Sequence, residues 1–459
     1  MKVLFFLHPG TNSRGILVDI IKGFSAAGHS TVVLDTTGIA DAITSNRANE
    51  VRIRESATQQ IAKAITDGQI DMSVGMWANG LTTTISTMAE GRILTLFERL
   101  RSPHLLMWLD SPERAHQGTA RKAFKDKFFS LPYQFHFINN SETAREMRQV
   151  YGFDHVLARH YGVEPEVFKP YPDEPRQYDL AFCAWGGCWK EAPAWVAGEL
   201  AKDEPDMLAL RTAVAQSQRP LRQALVSEFP SALAVAAEAT IERLAQMQLE
   251  RRERPVFYRV SELAADGGEA GEPARLMLRE PELYAAVVKQ IRRIDMYERA
   301  FIFIHLARHF SCALFGDVDY SGMGCPVKSL GNVPYDQQAR IYSRAPIGLS
   351  VMRWEDDAGF HLKPFEITAS GAACVAQERK ETQHLFRPET EIVRFRTPGE
   401  ARRKIRDLLD HPAQLAALAE AGRARTLKDH TWANWARDMT ASITQWQTQQ
   451  KQISERAAA

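Results

Sequence analysis

MKVLFFLHPGTNSRGILVDIIKGFSAAGHSTVVL, residues 1–34, is the stretch that decides the fold class. Residues 2–7 are apolar after Lys2 without alternation, the pattern of a strand buried on both faces. A polar loop follows, His8-Pro9-Gly10-Thr11-Asn12-Ser13. Over 15–27 the spacing becomes helical, with Ile16, Ile20 and Phe24 on one face. Gly28 stops the helix, and 31–34 is the next strand. Such a strand–loop–helix–strand unit predicts an α/β protein with a parallel sheet covered on both sides. The same stretch argues against a secretory leader. Its apolar run is too short, and no small-residue cleavage pattern follows at once.

Further strands are expected at 72–76, 105–109 and 134–138. Asn139-Asn140-Ser141 after the last of these predicts a helix cap. Residues 160–175, HYGVEPEVFKPYPDEP, hold four prolines (Pro165, Pro170, Pro172, Pro175) and read as a linker. A second α/β unit begins at 178–184. Residues 189–298 are mostly helical and read as an insertion. Strands resume at 311–315, 347–351, 373–376 and 391–395. The last helix is expected near Thr431, with a frayed tail from Gln447. The domains expected are 1–172, 173–430 with the insertion, and 431–459 as a helix and tail. Two open α/β sheets predict a cleft between them, with ligand beyond the carboxyl ends of the strands.

A chain of 459 residues suits about two or three domains of ~150 residues. The formal net charge is +1, so no global field favours nucleic acid. The five cysteines, Cys183, Cys188, Cys312, Cys325 and Cys374, are scattered and odd in number. That argues against a secreted disulfide scaffold and suits a reducing cytosol. No apolar run approaches the ~20 residues needed to span a bilayer.

Several segments of the second half carry a resemblance. They are GNVPYDQQARIYSRAPIGLSV (331–351), FHLKPFEITASGA (360–372), ETQHLFRPETEIVRF (381–395) and AGRARTLKDHTW (421–432). Together they resemble the donor domain of GT-B glycosyltransferases, and most nearly the spore-maturation (CgeB-like) branch. LLMWLDSPE (105–113) and HYGVEPEVFKPY (160–171) are looser matches in the first half. The resemblance implies two Rossmann-like domains facing a cleft and a glycosyltransferase, hexosyltransferase-like and metal-independent. The donor would be a nucleoside-diphosphate sugar, UDP-linked by expectation. The final helix would cross back to the first domain. No resident cofactor and no metal are expected. The acceptor, whether glycan, protein or small molecule, is not identified by the sequence. A nucleotide-sugar epimerase and a non-catalytic binder of the same fold remain rival readings.

Site residues follow from that resemblance and from chemistry. Glu366 would hold the ribose diol, since a carboxylate accepts two hydrogen bonds from vicinal hydroxyls. Ser370 and Gly371 would let the backbone approach phosphate, and Lys363 would neutralise the departing diphosphate. His361 is two residues from Lys363 and would face the same way in an extended segment. Asn332 and Val333 would line the base pocket, and Arg344 would reach phosphate. Asp110, at a strand end, and His8 compete as the base that takes the acceptor proton. Gly10 and Thr11 would face the donor sugar. Many retaining enzymes of this fold carry a second glutamate eight positions before this one. Here that position is Ala358, with Asp357 beside it. Asp317-Val318-Asp319 has metal-motif spacing but is read as a turn, and His305 and His309 are read as core or surface histidines.

Overall fold

The computed structural model describes residues 1–8, 10–89, 92–114, 130–186, 188–355 and 357–458. The opening strand is β1, Lys2–Phe6, buried at every residue after Lys2. It pairs in parallel with β2 (Ser30–Leu34) on one side and β3 (Met72–Met76) on the other. Val3 and Phe5 enter one hydrophobic core, Leu4 and Phe6 another. A strand covered on both faces needs apolar side chains at successive positions, which is why its sequence does not alternate. A small antiparallel hairpin, β4 (Thr87–Ala89) and β5 (Arg92–Leu94), stands apart. β6 (His104–Met107), β7 (Gln134–Ile138) and β8 (His155–Ala158) complete a parallel sheet of order β2-β1-β3-β6-β7-β8.

The second half repeats the plan. β9 (Leu180–Cys183), β10 (Cys312–Phe315), β11 (Ile347–Ser350), β12 (Ala373–Gln377) and β13 (Val393–Phe395) form a parallel sheet of order β10-β9-β11-β12-β13. The two-sheet α/β architecture expected from the sequence is therefore the one found. β8 was not anticipated. It is a four-residue sheet-edge strand with one buried residue, too little apolar surface for a pattern.

The helices between β9 and β10 belong by sequence to the second half, yet those from 234 to 292 cover the first, while the Glu298–Ala307 helix packs on the second. Ile241, Leu244, Tyr284, Val288 and Ile291 share a core with Leu4, Phe6, Leu106 and Trp108. Arg292 ends the Pro281–Arg292 helix and is almost fully buried. It reaches Glu113 at 2.5 Å, Glu146 at 2.9 Å and Asp357 at 2.8 Å. One guanidinium thus ties the insertion to both halves.

The chain returns at its end. Trp432 N–H donates to Val163 O at 3.1 Å. The helix Trp432–Ala458 then lies on the first helix, Thr11–Ala26. A Cβ on Gly23 would come within 2.5 Å of the Trp432 Cβ, so only glycine permits this crossing. Two helix ends differ from expectation. The first helix begins at Thr11, four residues early, with Gly10 as an extended N-cap. Polar Thr, Asn and Ser fit a first turn whose N–H groups lack intrahelical partners. The tail from Gln447 is helical to Ala458 rather than frayed, being rich in helix formers and free of Gly and Pro.

Candidate active site

Both sheets have a topological switch point, where neighbouring strands send their chains in opposite directions. In the first sheet it lies between β1 and β3 and carries His8, Gly10, Thr11 and Trp77. In the second it lies between β9 and β11 and carries Trp185 and the Arg353–Glu355 segment. Gly10, Thr11, Trp77, Trp185 and Arg353–Glu355 line one cleft of about 1250 Å³, with Asp110, Arg299, Asn332, His361, Lys363 and Glu366, while His8 stands beside it.

Lys363 and Glu366 form the back wall. They open the seven-residue helix Lys363–Ala369, three positions apart and so on one face. Lys363 Nζ donates to Gln338 Oε1 at 2.7 Å and to Glu366 Oε2 at 2.5 Å. Burial works against the ammonium, but Cys183 and Glu366 more than offset it and its pKa is raised. Burial also raises the Glu366 pKa, against the pull of Lys363. Glu366 is wholly buried, and its Oε1 has no hydrogen-bond partner among the described residues. A buried carboxylate oxygen left open is unfavourable and calls for a donor. His361 Nδ1 accepts the Lys363 N–H at 3.3 Å, which fixes the entry to this helix.

Across the cleft, Asp110 is not a free carboxylate. Arg353 donates to it and to Glu355, joining the two halves by charge. His8 is committed as well. Its Nδ1 accepts the Gly10 N–H at 3.0 Å, and burial lowers its pKa despite that bond. A neutral imidazole with Nδ1 as acceptor carries its hydrogen on Nε2, so it is placed to donate and not to take a proton.

Gly10, Thr11, Asp110, Asn332, His361, Lys363 and Glu366 are thus brought to one cleft. Four others stand elsewhere. Val333 packs against the hydrophobic core. Arg344 pairs with Glu174 of the linker at 2.9 Å. Ser370 and Gly371 close the C-terminal end of the Lys363–Ala369 helix: Ser370 Oγ donates to Glu366 O at 2.7 Å, and Gly371 sits at φ +83°. That is the carbonyl end, where the backbone offers acceptors rather than the N–H groups a phosphate needs. Asp357 is held by Arg292 and the Val256 N–H, so it does not replace the glutamate absent at Ala358. Asp319 accepts the Ser321 N–H at 2.9 Å in a turn, yet it and Asp317 also line the cleft. Pro9 and Gly187, the latter part of the expected turn after β9, lie outside the described residues.

Two cations escaped the sequence reading. Arg299 lies in the helix Glu298–Ala307 and donates to Cys183 O at 2.9 Å. Its Nε has no partner among the described residues, and burial lowers its pKa. An Arg immediately before the apolar run AFIFIHLA (300–307) was the available signal. Arg353 follows β11 as Asp110 follows β6, and the strand-end rule applied to the second sheet would have found it.

Among the described residues no group of three or more His, Cys, Asp or Glu is arranged to hold a metal, and no helix is long and apolar enough to cross a membrane. Residues 263–441 match a family model described as glycosyl transferase-like. No curated protein matches the chain. Solved structures resemble it at low identity. HepE of Anabaena in complex with UDP-glucose is 10% identical, with 97% of this chain and 100% of that one covered and a TM-score of 0.49. Sucrose-phosphate synthase of Thermosynechococcus elongatus is 11% identical, with 97% and 98% covered and a TM-score of 0.48. At these values the likenesses carry no argument about activity.

Proposed function

We propose that this chain is a cytosolic glycosyltransferase of GT-B type, moving a sugar from a nucleoside-diphosphate donor to a hydroxyl acceptor. One observation carries the reading. The segment matched as glycosyl transferase-like supplies Arg299, Arg353, Lys363 and Glu366, and these converge on a cleft whose other wall comes from the first sheet. The match favours transfer over epimerisation. The spore-maturation branch, hexosyl transfer and a UDP-linked donor are finer expectations resting on the sequence pattern. The five cysteines are all free, which suits a reducing compartment.

In this reading Glu366 Oε1 accepts from the ribose hydroxyls. Lys363, held by Gln338, keeps that carboxylate in place. Arg299 through its open Nε, together with Arg353, faces the diphosphate. The acceptor oxygen attacks the anomeric carbon as the bond from that carbon to the diphosphate oxygen breaks. The electron pair leaves with the diphosphate, whose growing charge the cations stabilise. The acceptor proton passes to Asp110 once the donor has drawn Arg353 away from it. Holding both reactants in line supplies the rest.

A thermal-shift panel of UDP, GDP, ADP, TDP and CMP tests the first step. A ligand at about 100 times its Kd stabilises by ~2.7 kcal/mol, a readable shift. Glu366→Gln should then weaken the bound nucleotide roughly 10–150-fold, from the loss of ~1.5–3 kcal/mol of charged hydrogen bonding. A panel that leaves the melting temperature unmoved refutes the reading.

A further inference from the structure

Trp77 has no part in the donor site, yet the fold holds it in a conformation that bulky residues avoid. It follows β3 at φ +49°, a region where a bulky residue is a genuine outlier. The turn around it is fastened on several sides. Trp77 N–H donates to Met107 O at 2.9 Å. Asn79 Nδ2 donates to Leu7 O at 2.9 Å, and Asn79 Oδ1 accepts the Gly80 N–H at 3.0 Å. Backbone strain on the order of 1–3 kcal/mol persists only where the surroundings over-determine it, and it gathers at binding sites. Here it leaves a half-buried indole on the cleft wall at the switch point of the first sheet.

The indole and the His8 ring form a T-shaped pair, centroids 4.9 Å apart at 62°. The Gly10 N–H occupies His8 Nδ1, so the imidazole keeps an Nε2–H donor, between Trp77 and Gly10, both of which line the cleft. An apolar ring face with a hydrogen-bond donor at its edge complements a pyranose, which presents axial C–H groups on one face and hydroxyls around its rim. A serine or threonine side chain has no such face. The cleft also has room for a second ring beside the donor. Its volume of about 1250 Å³ exceeds the roughly 300–1,000 Å³ of a pocket for one drug-sized ligand. Trp185 and Trp354 line it as well.

We infer that the hydroxyl acceptor is a carbohydrate, and that its pyranose ring stacks on Trp77 with a hydroxyl hydrogen-bonded to His8. The inference rests on the glycosyltransferase reading and adds the acceptor class to it.

Saturation-transfer NMR on the full chain tests this, with UDP, GDP and ADP present and their binding followed in parallel by calorimetry. The probes are the methyl α- and β-pyranosides of glucose, galactose and mannose, with a serine/threonine peptide as comparison. The expected result is saturation of the axial C–H protons of at least one pyranoside. Trp77→Phe should keep that signal. Trp77→Leu, which retains apolar bulk but no π face, should lose at least tenfold in pyranoside affinity. Nucleotide affinity should stay unchanged in both variants. If nucleotide binds while no pyranoside does, or Trp77→Leu binds pyranosides as the wild type does, or only the peptide binds, the inference falls and the transferase reading stands. If neither nucleotide nor sugar binds, both fall.

Discussion

At Asp110 the two halves of the chain meet through charge. The position was legible in the sequence because Asp110 ends a strand of an open sheet, but its partner was not. Arg353 lies 243 residues away and reaches it only in the folded chain. The pair gives Asp110 two roles that a substitution separates. Asp110→Asn keeps the volume but removes the proton acceptor and one of the two carboxylates that hold Arg353. Turnover, read as transfer or as slow hydrolysis of whichever sugar nucleotide binds, should fall by ~10²–10⁴. Donor affinity should hold or rise, because Arg353 then has one competing carboxylate, Glu355, instead of two. Unchanged turnover would move the base elsewhere. The tautomer of His8 leaves it poorly placed to inherit the role.

At the scale of elements, the helices of the insertion read correctly as helices, from apolar spacing alone. Where they pack did not read at all. A helix pattern names the face that must be buried and is silent on which surface buries it. Here the deciding contact is polar. Arg292 brings three carboxylates together with almost no solvent around them. Breaking such a group by removing one member leaves charge buried and unpaired, at about 3–5 kcal/mol. Arg292→Ala should therefore lower the urea midpoint by a loss of that order. Arg292→Lys should recover little of it, since one ammonium cannot match the forked guanidinium against three acceptors. Equal midpoints for wild type and Arg292→Ala would show that the cluster does not hold the insertion in place.

For the molecule as a whole, the first helix bears on the second half through Asp19. This buried carboxylate lies beside Lys22, Tyr335 and Glu164, and burial raises its pKa from 3.8 to about 7. The charged form is the one the fold disfavours. The stability Asp19 contributes is complete below its unfolded pKa near 4 and is lost as pH rises through about 7. Asp19→Asn removes that loss. Its melting temperature should exceed wild type at pH 8, by at most about 4 kcal/mol of stability, and the difference should vanish near pH 4. A difference independent of pH would mean that Asp19 does not titrate in this window.

The sequence by itself determined the class of the fold. Continuous apolar strands alternating with amphipathic helices leave a parallel sheet covered on both faces as the arrangement that buries them all. It also pointed to Lys363 and Glu366 through the family resemblance, and to Asp110 because strand ends are where an open α/β sheet presents polar groups to a cleft. Tertiary structure alone decided which of these groups are paired, and with what. The Arg353 clamp on Asp110, the open nitrogen of Arg299 and the strained Trp77 beside His8 are contacts between residues far apart in the chain. Local spacing fixes the face on which a side chain stands. The charge or ring that meets it there is set by how the two sheets and the insertion pack.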